Sequence, residues 1–209
     1  FMTPSGVIAI VAGARLLSEQ SKQPVHVLNL DSKVHNYLIR MNCIDQCSEW
    51  IVFESLNEAE WDRNIFTSNL LELTFIRNHS DVTLTIQTAE RILEHWLRIP
   101  NMRNLLVVLS ELCENIYEHS GDVNGCVLIQ KYQVQSQGIV TIELAVGDLG
   151  CGVRNSLAAR HRVEDQSSLQ CLQFAFEGFT ARVSGRGGLG LRRVRDIACA
   201  TGGHLWIRS

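Results

Sequence analysis
Residues 105–121 read LLVVLSELCENIYEHSG, a run whose apolar and polar positions both recur at three and four. On a helix, Leu105, Leu109, Leu112 and Ile116 form one stripe. Glu111, Asn115 and either Glu118 or His119 form another, because those spacings return to the same face. A carboxylate and a carboxamide one turn apart therefore point the same way. By itself the pattern fits either the wet face of an amphipathic helix or a paired chemical group, and the neighbouring sequence has to decide.

Downstream, residues 139–146 are a β-branched apolar run that ends in GDLGCG: Gly147, Asp148, Gly150 and Gly152. An Asp at a strand end followed by glycines presents a carboxylate to a ligand edge, with backbone bare enough for close approach. It is equally a tight glycine turn. Farther on, SGRGGLGLRR places Gly185, Gly187, Gly188, Leu189 and Gly190 directly before a helix, where amide N–H groups and the helix N-terminus receive phosphate. Gly185, Gly187 and Gly190 also satisfy GxGxxG, but a dinucleotide site needs a strand before it and a second strand carrying an acid after it. The preceding EGFTARVS is a poor buried strand and the chain stops at Ser209. The three lysines, Lys22, Lys33 and Lys131, exclude both a Walker A loop and a protein-kinase glycine loop.

The whole chain has 209 residues, 45% of them apolar and 20% charged, an ordinary globular composition. A net charge of −3 gives no uniform field for a polyanion, so direct nucleic-acid binding is not expected. No apolar run reaches the roughly 18 residues of a membrane span. Seven scattered cysteines without a CxxC pair read as a reduced, cytoplasmic protein whose thiols are small buried hydrophobes. At most, Cys43 and Cys47 share a helical face. Opening on Phe1 and stopping just after LWIR, the chain reads as a fragment of a longer one.

Along the chain, GVIAIVAGARLLSEQ (6–20) reads as a helix and VHVLNL (25–30) as a strand. Asp31 and Ser32 cap a helix ending near Asn42, and WIVFES (50–55) completes a βαβ unit. The acidic NEAEWDRN (57–64) is the linker candidate. LLELTF (70–75) and DVTLTIQ (81–87) read as strands, then TAERILEHWLRI as a helix stopped by Pro100. The central helix spans about 101–118. GCVLIQKYQV and GIVTIELAVGD form a hairpin across SQG, and SSLQCLQFAFEG is a helix. A last helix, LGLRRVRDIACATGG, leads to a terminal strand, HLWIRS.

Taken together, the three motifs resemble the GHKL, or Bergerat-fold, ATPases, which include anti-sigma-factor serine kinases, histidine kinases, gyrase-type ATPases and heat-shock chaperones. ExxxN at Glu111 and Asn115 looks like that family's N box, DxGxG at Asp148, Gly150 and Gly152 its first glycine box, and GxGGLGL from Gly185 to Leu191 its second. Order and spacing match over about residues 65–209. The resemblance implies an α/β protein of two layers, a mixed sheet covered by helices on one face, and ATP with Mg²⁺ as ligands. Asn115 would hold Mg²⁺, Asp148 would take the adenine amino group, and Gly187 to Gly190 would wrap the phosphates. Glu111 is the candidate general base, and residues from about 153 to 184 would be an ATP lid. The donor types agree: a carboxamide oxygen suits Mg²⁺, and a carboxylate suits an exocyclic amine. SELCENIYEHSG is closest in phrasing to the anti-sigma kinase group, and His119 belongs to that pattern. Arg186, Arg192, Arg193 and Arg195 either meet phosphates or are simply solvated.

At the other end, PSGVIAIVAGARLL (4–17) with VHVLNL and the helix after it resembles the second half of a STAS domain, the fold of anti-sigma-factor antagonists. There Ser5, before Gly6, would be the phosphorylated position; otherwise it is a helix-capping Ser. The expected organisation is a truncated STAS-like segment at 1–56, a linker at 57–64 and an ATP-binding domain at 65–209. The implied function is regulatory: phosphorylation of a Ser/Thr on a STAS-like or sigma-like protein partner, or partner binding switched by nucleotide. An ATPase whose lid closure drives a cycle or homodimerisation, and a non-catalytic binding module, remain the alternatives.

Overall fold
Thr3 opens the first helix, α1 (Pro4–Ser21): its backbone is extended and its hydroxyl accepts the Gly6 N–H at 3.2 Å. Pro4 fills the first helical position, where a missing N–H costs nothing. The cap is therefore Thr3, not Ser5, one residue pair ahead of where the sequence places the helix start. The computed structural model describes residues 2–54, 70–134, 139–179 and 188–209; the linker candidate at 57–64 lies outside them. By packing, the chain divides into two compact units, 1–75 with 126–147, and 76–125 with 148–209. That division follows contacts between distant segments, whereas the sequence divides the chain linearly at the linker.

In the first unit, α1 leads to strand β1 (Val25–Val27), helix α2 (Ser32–Arg40), the one-turn helix α3 (Cys43–Gln46) and strand β2 (Ile51–Phe53). β1 and β2 pair in parallel, Val25 opposite Ile51, which is the βαβ unit read from the sequence, with both strands shorter. The Asp31 side chain caps α2 by accepting the Lys33 N–H at 2.9 Å. Strand β3 (Leu70–Ile76) belongs to a second sheet of order β3-β4-β5. β4 (Gly125–Val134) and β5 (Ile139–Gly147) run antiparallel, Cys126 opposite Gly147 and Val134 opposite Ile139, as the hairpin pattern requires.

One core joins these pieces: Val7, Val11 and Ala14 of α1, Leu38, Met41, Cys43, Cys47, Trp50 and Ile51, and Leu70, Leu73, Phe75, Cys126 and Leu128 of the strands. The stripe of α1 at spacings of four and three is what buries it. α1 packs along β5, so closely that a Cβ on Gly147 would overlap the Ile8 side chain. Cys43 and Cys47 do share a helical face, with sulfurs 3.8 Å apart and both fully buried.

The second unit is helical. α4 (His79–Leu93) opens with a reciprocal cap, in which Asn78 Oδ1 accepts the Asp81 N–H and Asp81 accepts the Asn78 N–H. This corrects the reading of DVTLTIQ as a strand: Val82, Thr85, Ala89 and Leu93 are the buried positions, a helical period that the chance alternation of Val82, Leu84 and Ile86 hides. α5 (Ile99–Asn115) takes Pro100 at its second position, where it is tolerated. Pro100 thus starts one helix instead of stopping the previous one. α6 (Gly152–Ala158), α7 (Ser168–Glu177) and α8 (Gly190–Ala200) follow. α5 packs against α4 and α8, and α7 against α6 and α8. The terminal HLWIRS is not a strand: it has no ladder partner among the described residues, and Trp206 is 84% exposed. Among the described residues the architecture is mixed α and β with two small sheets and predominant helix. No helix among the described residues is long and apolar enough to cross a membrane.

Candidate functional site
α5 is packed on more than one side. Met102, Leu109 and Cys113 are buried, most of its other residues are half-buried, and burial pushes the Cys113 thiol up to about 12. Glu111 and Asn115 are both half-buried on this helix. The Glu111 side chain is only 23% exposed and is bonded through Oε1 to Arg193 Nη1 at 2.8 Å, 82 residues away. Its other oxygen lies against Gly190, where a Cβ would come within 2.6 Å of Oε2. A side chain at Gly190 would therefore make the tip of Glu111 shift.

Asn115 is the last α-helical residue. Directly after it the helix widens into a π-turn, Ile116–Ser120, which ends at Gly121 with φ of 72°, a left-handed conformation that glycine adopts without strain. Such local widening is frequent at functional sites. The Asn115 side chain is half-buried and makes no hydrogen bond to a described residue.

The π-turn carries the Asp148 loop. The Cys151 N–H donates to the Ser120 carbonyl at 2.8 Å, and the Cys151 thiol to the His119 carbonyl. A Cβ on Gly150 would collide with that Ser120 carbonyl. Asp122 Oδ2 accepts the Leu149 N–H at 2.8 Å and Oδ1 the Asn124 N–H at 2.9 Å. Ser120 accepts the Asp122 N–H. Asp148 itself is exposed; its Oδ1 accepts the Gly150 N–H at 2.8 Å, and its second oxygen bonds to no described residue. Ser120 and Asp122 escaped the sequence reading, although SGD, two short acceptor side chains around a glycine, is turn chemistry that could have flagged them.

At the third motif, Gly188 has φ of 82°, and Leu189 enters α8 without a side-chain cap. The first amides of the helix are left for another acceptor. Gly185, Gly187 and Arg186 lie outside the described residues. Of the neighbouring arginines, Arg192 and Arg195 both reach Asp196 on their own helix, and Arg195 lies over the Phe176 ring. Arg193 alone among these described arginines reaches a motif residue. Gly152 has φ of 71° and begins α6, whose Val153 N–H donates to Ser209 Oγ. The span expected as a lid contains α6 and α7, held by a small cluster of Leu157, Val163 and Cys171.

Ser5 belongs to the first unit. It is exposed, lies in the first turn of α1, and donates from both Oγ at 2.8 Å and N at 3.1 Å to Glu143 Oε1 on β5.

The chain matches no family model, no curated protein and no solved structure. Among the described residues no group of three or more His, Cys, Asp or Glu side chains stands ready for a metal. Any divalent ion at Asn115 would therefore take its other ligands from water and from a bound phosphate, which is how Mg²⁺ is commonly held. Among the described residues the donor set fits that arrangement: a carboxamide without a side-chain partner, a helix start without a side-chain cap and a carboxylate with one open oxygen.

Proposed function
We propose that this protein binds ATP with Mg²⁺ at the face of α5 and acts as a regulatory protein of the GHKL type, similar to the anti-sigma-factor kinases. It either phosphorylates a Ser/Thr on a partner protein or switches partner binding with nucleotide. One observation carries the reading: three motifs far apart in the chain meet on a single helix. Glu111 touches Gly190 at the start of α8, and the turn that follows Asn115 grips the Asp148 loop through Ser120.

In this reading the open oxygen of Asp148 accepts from the exocyclic amine of adenine, and the α8 amides receive phosphate with the helix dipole behind them. Asn115 supplies one oxygen to Mg²⁺. Glu111 orients the attacking hydroxyl or water and accepts its proton. Bound ATP supplies the transferable phosphoryl group.

The test is calorimetric titration with ATP, with and without Mg²⁺, of the wild-type chain and of Asp148→Asn and Asn115→Ala. Magnesium-dependent binding in the micromolar range, abolished by Asp148→Asn and weakened by Asn115→Ala, is the expected result. Absence of binding to the wild-type chain would refute the proposal. A further incubation with ATP and partner candidates separates phosphoryl transfer from nucleotide-switched binding.

A further inference from the structure
The contact between Glu111 and Arg193 asks for a role, because it ties up the carboxylate that the nucleotide reading makes the base. We propose that Arg193 is a positioning residue that changes partner: it holds Glu111 while the start of α8 is free of ligand, and transfers to the phosphates when they arrive, releasing Glu111. This rests on the nucleotide reading above.

Three observations support the exchange. First, Arg193 is the fourth residue of α8, and helical side chains lean toward the N-terminus, so its guanidinium lies over the first turn, where the uncapped amides are. Second, the two partners differ in freedom: the Arg193 side chain is 58% exposed and that of Glu111 23%. The arginine is the group that can swing, and the carboxylate stays. Third, Glu111 rests against Gly190 at the same helix start that would receive phosphate. A phosphate entering that turn is repelled by an unmatched carboxylate, and a guanidinium moving onto the phosphate removes that conflict with a bidentate fork. With Oε1 bonded to Arg193, that lone pair is not available to a water or hydroxyl. The pair thereby keeps Oε1 of Glu111 occupied until phosphate is bound.

The test is a double-mutant cycle on the full chain with Glu111→Gln, Arg193→Gln and both, read as unfolding equilibrium constants without ligand, with ATP and Mg²⁺, and with inorganic tripolyphosphate. The guanidinium ¹⁵N signals of Arg193 are followed in parallel, and Arg193→Lys tests partial rescue. Without ligand a coupling of about two-fold is expected. Saturating ATP with Mg²⁺ should abolish it and shift the Arg193 signals, and Arg193→Gln should weaken ATP binding about ten-fold. If ATP binds while the coupling and the signals stay unchanged, the partner exchange is overturned and the nucleotide reading stands. Tripolyphosphate moving the pair where ATP does not bind would retain the exchange and refute the nucleotide. If ATP does not bind and neither ligand moves the pair, both fail.

Discussion
Two helix N-termini in this molecule meet a glutamate from a distant segment, with opposite outcomes. At α1, Glu143 accepts both the N–H and the hydroxyl of Ser5, and Thr3 caps the turn as well. At α8, Glu111 touches Gly190 and binds Arg193, yet no amide of the helix donates to it and Leu189 adds no cap. An anion near the start of a helix is stabilising in either place. What separates the two is whether the backbone donors are used. α1 is a finished structural junction; among the described residues, the first amides of α8 have no side-chain acceptor.

The largest expected effect tests the motif loop. In Gly150→Val the new side chain meets the Ser120 carbonyl, and the variant should lose about 3 kcal/mol together with ATP binding. Urea titration and calorimetry read the two losses. Retention of both would detach the Asp148 loop from the π-turn.

A second effect is alkaline. Burial, reinforced by Tyr132, raises the Tyr37 phenol, and burial raises that of Tyr132. The hydrogen bond shared with Cys43, then burial, raises the Cys47 thiol. Burial lifts Cys113 from 9.0 to about 12. Each group stays protonated in the folded chain after its unfolded form has ionised. Stability is therefore complete below about pH 9 and falls as pH rises toward about 12, by about 1.4 kcal/mol per pH unit for each such group. Urea midpoints at about pH 8 and pH 10.5 should differ, and Cys113→Ala should flatten the slope.

Next come the two glutamates. Glu143→Ala should cost about 1 kcal/mol, because it removes an acceptor used twice. Glu111→Ala should cost less than about 0.5 kcal/mol without nucleotide while eliminating any turnover. If Glu111→Ala proves the more destabilising of the two, the contrast between the helix starts collapses. Ser5→Asp, which sets a second carboxylate beside Glu143, should resemble Glu143→Ala in thermal melts. Last is a gain: Gly13 lies inside α1, where a methyl group would have nothing within 4 Å, so Gly13→Ala should add about 0.5–1 kcal/mol.

What the sequence carried was local. The helix of α1, the Asp31 cap, the hairpin of β4 and β5 and the helical pairing of Glu111 with Asn115 depend on residues a few positions apart, and each is present. DVTLTIQ misled because apolar residues at alternate positions imitate a strand, and only the Asn78–Asp81 box, read as a start signal, would have corrected it. HLWIRS alternates as well, but a strand needs a neighbour and composition cannot supply one. The packing of α1 on β5 and the Glu111–Arg193 pair join residues more than a hundred and 82 positions apart respectively. No window of sequence contains such a relation. The grip of Ser120 and Asp122 on the glycine loop is intermediate: the turn residues were visible, their target was not.

The π-turn also makes the chain sensitive to length at one place. An α-helix advances about 100° per residue, and the wider turn at Ile116–Ser120 absorbs one residue more than regular helix would. Deleting a single residue there, Tyr117 for instance, would leave every motif letter in place and still rotate Ser120 away from Gly150. Substitution within IYEHS is then expected to be forgiven far more readily than a change in its count: between Asn115 and Gly121 the molecule measures spacing as strictly as identity.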